Sequence, residues 1–142
     1  MYLECSTNVS LLLVSKIYYL VAIKSFRDLE VYQLAHKAAM AIFKISKNFP
    51  SEEKYSLTDQ IRRSSRSVAV NIAEGWGKRI YENNFKRHLV DSQGSLEETK
   101  AWLLFATDCS YINEKEFTLH WTMYEELGSK IFNLHDKWRT FN

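Results

Sequence analysis

From Phe85 to Ser110 the residues Phe85, Leu89, Ser92, Leu96, Thr99, Leu103, Ala106 and Ser110 recur at alternating spacings of four and three without interruption. That period places every member on one side of an α-helix, whereas a strand alternates its side chains every two residues. Sustained for about seven turns, it predicts one long helix with a single buried stripe. Such a stripe is stable only against other secondary structure, and the rest of the chain offers helices. A single proline and four glycines leave too few turns for a sheet protein, and no segment shows strand-like alternation. The fold class is all-α.

Three further helices follow from the same reasoning. Residues 26–49 carry Val31, Leu34, Ala38, Ile42, Ile45 and Phe49 at helical spacing, and Asn48-Phe49-Pro50-Ser51-Glu52-Glu53 reads as a stop followed by a start. In residues 57–79, Leu57, Ile61, Ser64, Val68 and Ile72 form one face and Arg62, Arg63 and Arg66 another. Ser56 to Asp59 has the form of a capping box, and Gly75 and Gly77 predict a left-handed stop. Asn113 to Glu116 is a second capping box, opening a helix through Phe117, Trp121, Tyr124, Leu127, Ile131, Leu134 and Trp138. Gly94-Ser95, in the middle of the longest helix, costs about 1 kcal/mol relative to alanine and predicts close approach of another helix. Short connections make the expected architecture an antiparallel up-down four-helix bundle.

With 142 residues and ordinary soluble composition, one domain is expected. Residues 25–142 form the bundle domain, and residues 1–24 stand apart as an apolar N-terminal extension. The extension is too short and interrupted to span a bilayer, and it lacks the positive start and small-residue cleavage site of an export signal. It reads as an upstream start codon or an extra helix, dispensable to the bundle. Cys5 and Cys109 are too few for a disulfide framework or a cysteine zinc site, and read as reduced thiols in a cytoplasmic protein.

The net charge of +2 is small but uneven. Residues 60–90 hold seven cations (Arg62, Arg63, Arg66, Lys78, Arg79, Lys86, Arg87) against Glu74 and Glu82. Such a set reads either as a phosphate-binding surface or as a solvated face carrying ion pairs. Asn71 and Glu74 lie beside the apolar stripe, where a polar group needs a partner, and are expected to fix register or cap neighbouring backbone. Ser64, Ser65 and Ser67 have no histidine near them in sequence and read as small residues that let helices approach. His36, His88, His120 and His135 stand on different helices without the Glu-x-x-His motif of di-iron bundles, and Glu116 with His120 reads as an exposed pair or half a metal site. Gly75-Trp76-Gly77-Lys78 lacks the strand and the ending of a phosphate loop. No catalytic constellation, metal set or cofactor motif emerges, and a non-enzymatic protein is expected.

Phe49-Pro50 with Glu53, Leu57-Thr58-Asp59-Gln60-Ile61-Arg62-Arg63, Ser67-Val68, Asn71-Ile72-Ala73-Glu74-Gly75, Phe85, Gly94-Ser95 and Glu97 resemble the bacterial four-helix-bundle proteins first noticed in intervening sequences of 23S ribosomal RNA genes. The resemblance runs from Phe26 to about Trp138. It departs at Ile80, where a small hydroxyl residue is usual, and at Ser92, where alanine is. Relatives of that family include the accessory variability determinant proteins of diversity-generating retroelements. The resemblance implies a homopentameric ring whose basic surface contacts RNA or DNA and, in some relatives, a reverse transcriptase. The function expected is an oligomeric, nucleic-acid-binding scaffold; the alternative is a protein-interaction scaffold in which the same arginines make salt bridges.

Overall fold

Each predicted stripe becomes a helix in the computed structural model, which describes residues 23–140. The helices are α1 (Glu30–Ser46), α2 (Leu57–Gly77), α3 (Glu82–Asp108) and α4 (Glu114–Lys137), and no strand occurs among the described residues. Expectations for residues 1–22, Cys5 included, fall outside the described residues. At the boundary Ile23 is half-buried against the core.

The stripes meet in one core. Ile42 of α1, Ile61, Val68 and Ile72 of α2, Phe85, Leu89, Leu96 and Leu103 of α3, and Leu127 and Ile131 of α4 are all buried. Contacts between neighbouring helices run in opposite senses along the two chains. Ser64 of α2 bonds Thr99 of α3, Val68 bonds Ser92, and Gly75 touches Phe85 and His88, so α3 numbers fall as α2 numbers rise. Gln93 and Lys100 of α3 likewise reach Gly128 and Glu125 of α4.

The ends of the helices depart from the sequence expectations in four places. The first helix begins later, at Glu30, because Ser25 and Asp28 form their own capping box around a short 3-10 turn, Phe26–Asp28. Ser56 makes no side-chain cap on α2; Glu53, four residues upstream, accepts from the Leu57 N–H at 3.0 Å instead. A carboxylate at that end is favoured by the helix dipole as well as by the hydrogen bond. Neither Gly75 nor Gly77 is left-handed: the end of α2 closes through Lys78 N–H to Gly75 O (3.0 Å) and Arg79 N–H to Trp76 O (3.2 Å). The left-handed residue is Ser110, with φ of 61°, so the long stripe ends one member early. Ser110 N–H donates to Thr107 O and Tyr111 N–H to Ala106 O, both at 2.9 Å, the double bond pattern in which glycine usually holds the left-handed place. Cys109, the residue that follows α3, is exposed and free.

The capping box of Asn113 and Glu116 is present in both directions. At the opposite end of the bundle, Trp138 packs edge-on against Phe85 (4.6 Å) and Trp76 (6.2 Å). Thr140 then donates its hydroxyl to Arg79 O at 2.8 Å and its N–H to Glu82 Oε2 at 3.1 Å, pinning the chain across the turn between α2 and α3. Those contacts, with Lys86 close by, hold the Glu82 carboxyl below the usual carboxylate range.

Candidate nucleic-acid interface

The seven cations singled out in the sequence do not form one surface. Arg62 and Arg66 lie on α2 facing α1, while Lys78, Arg79, Lys86 and Arg87 gather at the turn into α3; the helical rise separates Arg62 from Lys78 by about 24 Å. On the α1 side, the Arg62 guanidinium lies 4.9 Å from the Phe43 ring centre and Arg66 lies 5.8 Å from it. Arg62 Nε also donates to the buried Ser46 hydroxyl at 2.7 Å. Lys47, which no motif pointed to, joins them at 4.8 Å from the same ring. Arg63 points elsewhere and meets Asp59 at 3.9 Å in an exposed pair that contributes little.

At the turn the cations are largely answered from within. Lys78 Nζ lies 3.0 Å from His88 Nε2, and His88 Nδ1 lies 3.7 Å from the Glu74 carboxylate. Arg79 stacks 4.1 Å from Trp76 and donates to Trp76 O, and Lys86 pairs with Glu82 at 3.1 Å. Arg87 is exposed and makes no ion pair among the described residues.

The polar residues beside the stripe take different parts. Asn71 donates to Ser67 O and to the Ser67 hydroxyl, which in turn bonds Ser95 of α3 at 2.9 Å. With Thr99 to Ser64 (2.9 Å) and Ser92 to Val68 O (2.8 Å), these make a ladder of hydroxyls between α2 and α3. Sequence reasoning read the α2 serines as small residues that let helices approach, with a nucleophile activated from another helix as the alternative; serine and threonine recurring inside a helical stripe on two neighbouring helices was the signal that they pair. Among the described residues Glu74 caps nothing: it is exposed and faces His88. Gly75 is where the helices touch, since a Cβ there would lie 2.7 Å from His88 Cβ and 2.9 Å from the Phe85 ring. Gly94, expected to admit a helix, is exposed with nothing within 4 Å of a Cβ; its partner Ser95 makes the interhelical contact.

His120 is buried with its Nδ1 unpartnered among the described residues, and burial lowers its pKa although Glu116 pulls the other way. It is therefore neither half of an exposed pair nor, among the described residues, part of a group of three metal-ligating side chains. Lys100, also missed, is buried in the α3–α4 seam, stacked on Trp121 at 4.4 Å and paired with Glu97 and Glu125. Burial pushes its pKa down, but the two carboxylates outweigh it and the net shift is upward. It borders an open groove of about 490 Å³ with Tyr124, Glu125 and Phe132. Burial raises the Tyr124 hydroxyl.

Charge divides by helix pair. Residues 30–79 carry nine lysines and arginines against five acids, and residues 82–137 carry six against ten. No helix among the described residues is long and apolar enough to cross a membrane.

The family model of the 23S rRNA-intervening sequence protein matches residues 27–133. The chain belongs to this family. Among curated proteins no relative matches. A solved structure of a protein of unknown function from the S23 ribosomal protein family of Bacteroides thetaiotaomicron aligns with a TM-score of 0.69 at 21% identity, covering 75% of this chain and 96% of that one. At that identity the likeness of this 23S rRNA-intervening sequence protein to the Bacteroides protein is one of fold. The family match ends at residue 133, so Trp138 and Thr140, which close the turn between α2 and α3, lie beyond it.

Proposed function

We propose that this member of the 23S rRNA-intervening sequence family is a non-enzymatic, oligomeric scaffold that binds RNA or DNA through the basic α1–α2 side. The observation that carries the reading is the division of charge: the α1–α2 half is net basic and the α3–α4 half net acidic. A polyanion is drawn to one side of such a molecule and repelled from the other. The contacts engage backbone phosphate, so affinity is salt-dependent and largely indifferent to sequence.

The homopentamer implied by the resemblance is part of this proposal. Leu104 and Phe105 on α3 and Leu119 and Phe132 on α4 are large apolar residues between 46% and 64% exposed, on the two helices of the net acidic half. Other copies of the chain covering these residues leave α1 and α2 outward, and repetition around a ring multiplies weak contacts. A protein-interaction scaffold is the second reading, favoured by the same exposed apolar residues.

The test is fluorescence anisotropy with structured RNA and duplex DNA across a salt series, beside light scattering on the same samples. Replacing Arg62, Arg63 and Arg66 with glutamate is expected to remove binding while oligomer mass and helicity persist. Binding equal to the parent would overturn the basic-side mechanism, and loss of the oligomer would favour the second reading.

A further inference from the structure

We propose that Lys47, Arg62 and Arg66, gathered on the ring of Phe43, form a seat for a single phosphate group of a nucleic-acid backbone. The inference rests on the nucleic-acid reading above and narrows it to one place. All three cations lie within 5.8 Å of one ring centre, so no two are farther apart than the sum of their distances to it. Each cation's distance to the ring centre is shorter than the screening length of physiological salt, about 8 Å, so all three charges act on an anion held beside the ring. None of the three forms an ion pair with a carboxylate among the described residues, although Arg63, next to Arg62 in sequence, does.

Two α-helical turns build the seat. Phe43 and Lys47 are four residues apart at the end of α1, and Arg62 and Arg66 are four apart near the start of α2, so each pair shares a face and the two faces meet. The electron-rich ring face holds the cations where a solvated loop would let them spread. Arg62 is further fixed: Ser46 is 2% exposed, donates its hydroxyl to Phe43 O at 3.0 Å, and accepts from Arg62 Nε at 2.7 Å. With Nε taken, the two terminal nitrogens of the guanidinium have no partner among the described residues, and their planar fork matches two phosphate oxygens. Three of the four cations at the turn into α3 lack this character, because Lys78, Arg79 and Lys86 are each engaged within the fold, which leaves Arg87 alone there.

The experiment measures binding of a fluorescein-labelled single-stranded oligonucleotide to the full chain across a salt series, beside an oligonucleotide of the same sequence with an uncharged methylphosphonate backbone. Changing Lys47, Arg62 and Arg66 together to glutamine is expected to lower the slope of log affinity against log salt by about 0.7, the value for one lost phosphate contact on a single strand. Phe43→Leu, which keeps every charge and removes the ring, is expected to weaken binding about fivefold. Arg62→Lys should keep the slope and weaken binding, since it retains charge but loses the fork and the Ser46 bond. Lys115→Gln with Lys137→Gln on α4 serves as the unaffected control. If the triple variant loses its helicity, Lys47→Gln with Arg66→Gln decides, with weaker binding and a slope lowered by up to about 0.7. A parent-like slope in the seat variants overturns the seat while leaving the wider nucleic-acid reading standing, whereas equal binding of the uncharged oligonucleotide overturns the seat and the basic-side mechanism together. Absence of any oligonucleotide or duplex binding by the parent overturns both.

Discussion

Replacing Gly75 and Gly94 with alanine, one at a time, is expected to move stability in opposite directions. Both lie inside helices, where alanine is better than glycine by about 1 kcal/mol through propensity alone. At Gly94 nothing stands within 4 Å of the new methyl group, so the full gain of about 1 kcal/mol is expected. At Gly75 the methyl carbon would sit 2.7 Å from His88 Cβ and 2.9 Å from Phe85 Cδ2. A Cβ moves only with its backbone, and Phe85 is fully buried against Trp138, so neither neighbour yields easily. Overpacking of this kind costs about 1–3 kcal/mol and offsets or outweighs the propensity gain, leaving a net loss of up to about 2 kcal/mol. Urea denaturation of the two variants and the parent at one fixed protein concentration reads the difference, the concentration being held because assembly shifts apparent stability. A Gly75→Ala variant as stable as the Gly94→Ala variant would refute the claim that α2 and α3 touch at this point. Destabilisation by Gly94→Ala would show that this face is covered in the assembled protein.

Ser110→Gly is expected to stabilise by about 1 kcal/mol, because the residue holds φ of 61°, which costs a side chain about 1–2 kcal/mol and glycine almost nothing; an unchanged urea midpoint would refute it. His120 makes stability depend on pH. The unfolded histidine takes up a proton near 6.5 and the buried one resists it, so its contribution is complete above that value and is lost as pH falls. The expected slope reaches at most about 1.4 kcal/mol per pH unit, and His120→Gln should flatten it between about pH 7 and pH 5, as read from denaturation midpoints; an unaltered slope would place the titration elsewhere.

The helices were legible because burial imposes a period that survives in the residues: the stripe from Phe85 to Ala106 and the cap at Asn113 stand where the spacing put them. Events at helix ends were less so, since a serine before a helix states an ability to cap and not which of several acceptors wins. Ser56 lost that competition to Glu53. Glycine was ambiguous for a similar reason, as it serves a left-handed turn and a tight helix contact equally, and only the position of α3 tells them apart at Gly75. The basic residues were found, but their grouping was not. Lys47 and Arg62 are brought together by the packing of α1 on α2, which no local spacing encodes.

The pin at Thr140 sets an order on biosynthesis. The turn between α2 and α3 is completed by partners 58 and 61 positions further along the chain, and Trp138 covers the Phe85 ring from the same late segment. A ribosome adding about 5–20 residues per second reaches that segment about 2–6 s after α3 has been completed at Asp108. During the interval the α2–α3 hairpin exists without its lid, with Trp76 and Phe85 open to water at the nascent end. Chaperones and premature neighbours therefore meet an aromatic surface that the finished protein hides.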